Sequence, residues 1–303
     1  MSILNSALRP LGIGAVASLM LSCAVALAGD QRHATLGDAT ATDARTLTFG
    51  IVPQQSASRL ARTWGPLMER LGSDLGVVVR FETTKDIPTF EACLAAGAYD
   101  LAYMNPVHYT IFSDVSGYRA LAHQAQKRLR GLIVVRKDSP IQSLDDLQDS
   151  EVAFPSPGAF GASVVPRAEM RARGIRFDPK YVKSHDSVYR AVVAGLMPAG
   201  GGVTRTFNAI SEDMRAQLRV VYETEGYTPH AIAARSDLPE SLRTEIQNLL
   251  MRLNDEAPDL AKSVGMKGFE TAVDESWDDV RRLDLGANET GISVEGSIQC
   301  PSG

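Results

Sequence analysis

LTFGIVPQQSASRLARTWGPLMERLGSDLGVVVRFETTKDIPTFEACLAAGAYDLAYMNP, residues 47–106, alternates between strand and helix signals. LTFGIVP (47–53) is a short apolar run that Pro53 ends, and it reads as a buried strand. Leu60, Trp64, Leu67, Met68 and Leu71 then recur at the spacing of one helix face, with Gly72 and Gly76 expected to close the helix. VVVRFET (77–83) is the next strand, and Pro88 begins a helix carrying Phe90, Leu94 and Ala95. YDLAYM (99–104) is a third strand, after which Asn105-Pro106 opens another helix. Parallel strands need crossover connections, so this order predicts an α/β lobe with a mainly parallel sheet covered by helices on both faces.

The pattern recurs in a second unit. LRGLIVVRKDSPI (129–141) reads as a strand leaving the first lobe, and SLDDLQ (143–148) as a short helix capped by Ser143. EVAFP is a strand, SVVPRAEMRARG a helix ended by Gly174, DSVYRAVVAG a helix ended by Gly195, and RVVYET a strand. Tyr227 to Ala234 returns toward the first lobe, followed by the amphipathic helix PESLRTEIQNLLMRLNDE (239–256). The expected organisation is a first lobe over 46–133, a second over 134–228, a return to the first over 229–287, and a polar tail over 288–303.

The N-terminus reads as an export signal. After Arg9, Leu11 to Ala28 is an unbroken run of apolar and small residues closing on Ala26-Leu27-Ala28, so residues 1–28 are expected to be removed after Ala28. An uncleaved anchor, or a lipoprotein attached through Cys23, are the alternatives. Residues 29–45 are small, polar and without period, and read as a disordered lead. A net charge of −5 argues against a nucleic-acid surface. Cys93 sits in an apolar helix and Cys300 in a polar tail, so no disulfide is expected and Cys93 reads as a buried hydrophobe. No Cys/His pairs stand at metal-ligand spacing, and neither metal nor cofactor is expected. An enzyme is not supported either: no carboxylate pair stands at useful spacing, and consecutive His185-Asp186-Ser187 cannot form a relay.

Two α/β lobes joined by crossing strands leave a cleft beyond the strand ends, where helix N-termini point inward and suit anions. Residues 54–58, 84–89, 104–108 and 155–163 occupy such positions.

Five further stretches together resemble a known family: FGIVPQQSASRLARTWGPL, YDLAYMNPVHY, LIVVRKDSPIQSLDDL, FPSPGAFGASVVPRAEMRARGI and SHDSVYRAVVAGLMPAGGGVTRTF. In that order, from about Leu47 to Leu285, they are similar to the PhnD-like periplasmic phosphate-, phosphite- and phosphonate-binding proteins of ABC importers. The resemblance implies a two-lobed type II periplasmic-binding fold, hinge closure on the ligand, and delivery to a membrane permease. It also implies departures at the site. The phosphonate binders open the helix after Pro157 with a Ser-Thr-Ser run, where this chain has Ala159-Phe160-Gly161. Their tyrosines align with Ile87 and Met104, and a carboxylate near the return strand is replaced around His230, while His185 is kept. An aminoalkylphosphonate is therefore disfavoured, and a smaller or different oxyanion expected.

The candidate ligand-binding residues are Gln54, Gln55, Met104, Asn105, Ala159, Phe160, Gly161, His185, Arg205 and His230. His185 either donates to an oxyanion or caps its own helix; His230 either lines the cleft or serves as a hinge residue; His108 either faces the cleft or packs on its helix. Arg205 suits paired hydrogen bonds to an oxyanion, its alternative being an ion pair with Glu212 or Asp213. Gly200-Gly201-Gly202 lacks the lysine and spacing of a phosphate loop and reads as a close-packed turn. The expected function is a monomeric periplasmic receptor for a phosphorus oxyanion, serving a permease. The alternative is a sensor subunit feeding a histidine kinase, including an arsenite sensor acting through Cys93.

Overall fold

The computed structural model describes residues 45–293 and 299–300. The export signal, its cleavage after Ala28 and nearly all of the polar lead lie outside the described residues. In chain order the first lobe lays down β1 (Thr46–Ile51), α1 (Ala57–Leu75), β2 (Val78–Glu82), α2 (Ile87–Ala95), β3 (Leu101–Met104), α3 (Pro106–Val115) and β4 (Tyr118–Gln124). The second comprises β5 (Gly131–Arg136), β6 (Ser150–Phe154), α4 (Val165–Ala172), β7 (Phe177–Tyr181), α5 (His185–Val193), β8 (Ala199–Val203), α6 (Thr204–Ala209), α7 (Glu212–Ala216) and β9 (Leu218–Glu223). The chain returns as β10 (Ala231–Arg235), α8 (Glu240–Glu256), α9 (Pro258–Ser263) and β11 (Phe269–Thr271).

Two sheets result, β11-β4-β10-β3-β1-β2 and β7-β6-β8-β5-β9. In the first, β1, β2, β3 and β4 run one way, with β10 and β11 opposed. In the second, only β5 opposes the others. The expected parallel sense therefore holds for most strands, and in each lobe a strand entering from the other lobe, β5 or β10, is inserted in reverse. Just outside these strands the two crossing segments pair with each other, Leu129 N–H donating to Tyr227 O (2.7 Å) and Tyr227 N–H to Leu129 O (2.9 Å).

Side-chain period accounts for the lobe interiors. The α1 stripe of Leu60, Trp64, Leu67, Met68 and Leu71 is buried against β1, with Trp64 edge-on to Phe49 and tilted on Tyr103. Each such large apolar side chain contributes about 1.5–3 kcal/mol of burial. The helix does not stop at Gly72. It runs on to Leu75, and Gly76, at φ +65°, supplies the left-handed residue that ends it. Asp86 and Asn105 cap α2 and α3 through their side chains, accepting from Thr89 N (3.0 Å) and His108 N (2.9 Å). The segment 143–148 forms only a single tight turn, in which Asp146 accepts from the backbone of Gln142 and Ser143, the reverse of the expected Ser143 cap.

The cysteines correct an expectation. Cys93 and Cys300 form a disulfide with their Cα atoms 4.6 Å apart, across a sequence separation of 207 residues. Polarity of the tail was a poor guide, because pairing depends on where the tail lands, and it lands on α2. Upstream of it, Arg167 of α4 donates to Glu289 O (2.6 Å), and Ile292 packs close to Gly158. No helix among the described residues is long and apolar enough to cross a membrane.

Candidate functional site

The site is built where β-strand ends of both lobes meet. From the second lobe, β6 ends at Phe154 and the chain turns through Ser156-Pro157-Gly158 into a five-residue π-helical turn, Phe160–Val164, continuous with α4. Ser163 N–H and Val164 N–H both reach back to Ala159 O (2.7 and 3.2 Å). Ahead of them, the N–H groups of Phe160, Gly161 and Ala162 have no hydrogen-bond partner among the described residues. A helix start leaves such donors unpaired and carries the positive end of the dipole, so this is a backbone cradle for negative charge. No hydroxyl residue lines the space in front of them; Ser163 Oγ, which accepts from Arg167 Nε at 3.0 Å, stands outside it.

Glycine explains how strands come so close behind the cradle. A Cβ on Gly131 of β5 would lie 1.9 Å from Gly161 O, and one on Gly201 of β8 would lie 1.9 Å from Ala162 O. Gly200-Gly201-Gly202 is thus neither a phosphate loop nor a turn. It is the middle of a buried strand, and its missing side chains let the π-helical turn rest on it.

Facing the cradle are two buried histidines. His185, at the first turn of α5 after the Ser184 cap, has Nδ1 3.0 Å from Thr206 Oγ1, which Tyr189 OH also contacts at 2.8 Å. Burial, reinforced by the Arg205 guanidinium, pushes the His185 pKa down to about 3, so the ring is neutral at physiological pH. The Thr206 hydroxyl has one proton and two acceptors in reach, Val203 O (3.1 Å) and His185 Nδ1 (3.0 Å); it turns from the first to the second when an anion at Nε2 holds the ring proton there. His230, on the return toward β10, is stacked on Tyr103 at 5.0 Å, and its Nε2 lies 3.0 Å from Gln54 Nε2. Arg205 Nη2 donates to Gln54 Oε1, which orients the amide so that Gln54 Nε2 donates to His230 Nε2 and the His230 proton resides on Nδ1. Burial first, then Arg205 and the other histidines, holds His230 well below the ordinary imidazole range.

Gln54, Asn105, Ala159–Ala162, His185 and His230 share one enclosed cavity, walled on its apolar sides by Val52, Ile87 and Val203. The space open to the centre of a water-sized sphere is about 10 Å³, close to what one water needs, so a tetrahedral anion enters with the lobes slightly parted. The lobes are drawn together across it. Besides Arg205 to Gln54, Asn105 Nδ2 donates to Gly158 O (2.9 Å), His185 N–H to Gln54 O (3.3 Å), and Arg59 stands 3.8 Å from Asp186. No carboxylate lines the cavity, and among the described residues no group of three His, Cys, Asp or Glu converges for a metal.

Residues 49–277 match the family described as "ABC transporter, phosphonate, periplasmic substrate-binding protein". The chain belongs to that family. Its members are periplasmic substrate-binding proteins rather than enzymes, which places this chain in the periplasm as the substrate-binding component of an ABC transporter of the phosphonate type. The chain is 22% identical over 248 residues to the phosphate-import protein PhnD of Mycolicibacterium smegmatis, covering 74% of each. Its fold is that of PhnD1 from Prochlorococcus marinus in complex with methylphosphonate, with TM-score 0.74, 17% identity, and 81% and 99% of the two chains covered. It is similarly that of a binding-protein component of an ABC phosphonate transporter from Pseudomonas aeruginosa, with TM-score 0.73, 17% identity, and 82% and 93% covered.

For this periplasmic binding protein, the structure sorts the sequence-derived candidates. Gln54, Asn105, Ala159, Phe160, Gly161, His185 and His230 are brought to one cavity. Arg205 reaches it only through Gln54, lies 5.6 Å over the Tyr103 ring, and has no ion pair with Glu212 or Asp213. Gln55 faces a separate, outer groove. Met104 is fully buried in β3 and lines neither space. His108 packs instead in the first lobe, with Nε2 2.9 Å from Glu91 Oε1 and 3.0 Å from Asn105 Nδ2. Sequence reasoning missed Thr206 and Tyr189, whose hydroxyls hold His185; the i, i+4 relation of His185 and Tyr189 on α5 was the only available signal. Cys93 is in the disulfide, so the free thiol required for arsenite sensing is not there.

Proposed function

We propose that this protein captures a small phosphorus oxyanion, phosphite, phosphate or a phosphonate, and presents it to an ABC permease. The observation that carries this reading is the convergence of the unpaired Phe160, Gly161 and Ala162 N–H groups with two neutral histidines in a cavity without a carboxylate. Donors fixed in a buried cavity replace the hydration of an anion without a counter-charge of their own. The lobes over 46–133 with 229–287, and over 134–228, hinge at the paired segments around Leu129 and Tyr227. Release follows when they part and the Arg205–Gln54 and Asn105–Gly158 contacts break. Residues 1–28 act as the export signal. The names of the phosphate-import and methylphosphonate-bound relatives agree with the ligand class. Titration calorimetry of residues 29–303 should give a Kd of about 1 μM or tighter, about −8 kcal/mol, for at least one of phosphite, phosphate and methylphosphonate. Silence across all three refutes the reading.

A further inference from the structure

Two further spaces adjoin the inner cavity in succession through shared wall residues, and their walls are positively charged. A small space bounded by His230 and Val203, both also cavity residues, continues to Lys127 and Arg205. These two in turn border an outer groove of about 430 Å³, completed by Arg59, Gln55, Thr63 and Ser263. No Asp or Glu lines either space. Among the described residues Lys127 makes no ion pair or hydrogen bond, and Arg205, which donates to the neutral amide of Gln54 and stands over the Tyr103 ring, has no carboxylate partner. Gln55 is only 6% exposed, and its Nε2 has no hydrogen-bond partner among the described residues. Two cations without a counter-carboxylate, beside an unpaired buried amide donor and the Thr63 hydroxyl, form a second set of anion donors just outside the first; Ser263 Oγ is spent on Leu260 O (2.8 Å).

We infer that the natural ligand is a phosphonate bearing a second, anionic group on a short chain, with its phosphoryl end in the inner cavity and its distal anion between Lys127, Arg205 and Gln55. This rests on the proposed phosphorus-oxyanion reading and deepens it. The absence of any carboxylate lining these spaces also explains the ligand chemistry they exclude. A protonated amine on the same chain would meet Arg59, Lys127 and Arg205 with no carboxylate to pair with.

Calorimetry with five probes tests it: methylphosphonate, n-propylphosphonate, phosphonoacetate, 3-phosphonopropionate and 2-aminoethylphosphonate. The better of the two carboxylated phosphonates should bind about ten-fold or more tighter than n-propylphosphonate, the worth of a charge-assisted contact. That margin should shrink with added salt. The aminoethyl compound should bind weakest. Lys127→Ala should remove most of the carboxylate gain and leave methylphosphonate affinity unchanged, because Lys127 is exposed and does not line the inner cavity, and Lys127→Glu should make the carboxylated compounds bind more weakly than n-propylphosphonate. If methylphosphonate binds but a carboxylate adds nothing, or if its gain survives Lys127→Glu, the inference is overturned and the oxyanion reading stands; the basic groove then serves as a docking face. If no phosphonate binds, the inference fails, and the oxyanion reading is then decided by phosphite and phosphate.

Discussion

Lowering the pH should unfold this protein in a way that His185 largely explains. In the folded chain the ring is sealed between α5, α6 and the anion cradle, and its pKa is pushed from the ordinary 6.5 down to about 3 by burial and then by Arg205. The unfolded chain binds a proton on this ring below pH 6.5, and the folded chain does not until about pH 3. The stability His185 contributes is therefore fully present above pH 6.5 and is lost progressively as pH falls toward 3. At about 1.4 kcal/mol per pH unit, going from pH 7 to pH 5 costs about 2 kcal/mol from this ring alone. His230, depressed for the same reasons, adds in the same direction. Guanidinium denaturation of wild type and His185→Gln, each at pH 7 and pH 5, separates the two contributions. The variant should lose about 2 kcal/mol less than wild type over that interval. An equal loss in both proteins would show that His185 is hydrated or already charged, and would refute its role as a neutral donor.

Gly201→Ala should place a methyl against Ala162 O, which a Cβ would approach to 1.9 Å. The expected result is destabilisation of about 1–3 kcal/mol together with weakened anion binding, read by denaturation and calorimetry. Thr206→Val removes the hydroxyl that holds His185 Nδ1 at 3.0 Å. Anion affinity should fall by about 1 kcal/mol, and Thr206→Ser should restore it. Reducing the Cys93–Cys300 disulfide opens a loop whose ends are 207 residues apart, so the melting temperature should drop on adding reductant. The stability at stake is at most about 5 kcal/mol, and Cys300→Ser, measured without reductant, should show the same drop.

The strand–helix alternation made the fold legible, because Leu60, Trp64, Leu67, Met68 and Leu71 are periodic only if one helix face is buried. What escaped was whatever depends on backbone approach or distant chain. β8 carries three consecutive glycines, a composition that argues against a strand until the turn it supports is known. The Cys93–Cys300 bond spans both ends of the fold, and nothing local to either cysteine announces it. At the site, loop position after a strand was enough to nominate Gln54, Asn105 and Ala159–Gly161, since strand ends converge in this topology, whereas His185 was nominated by the family resemblance. It could not separate Gln54 from Gln55, which are neighbours in sequence yet serve the cavity and the outer groove respectively. Met104 fails for a related reason: side chains alternate along β3, and its own is buried outside both spaces.

In the proposed capture of an oxyanion, the backbone start of the π-helical turn grips the anion. Titrating isotope-labelled protein with methylphosphonate while following the amide proton resonances of Phe160, Gly161 and Ala162 tests it most directly. Those three should move strongly downfield as charge-assisted hydrogen bonds form, saturating together with the heat of binding. Saturable binding that leaves all three unmoved would contradict it.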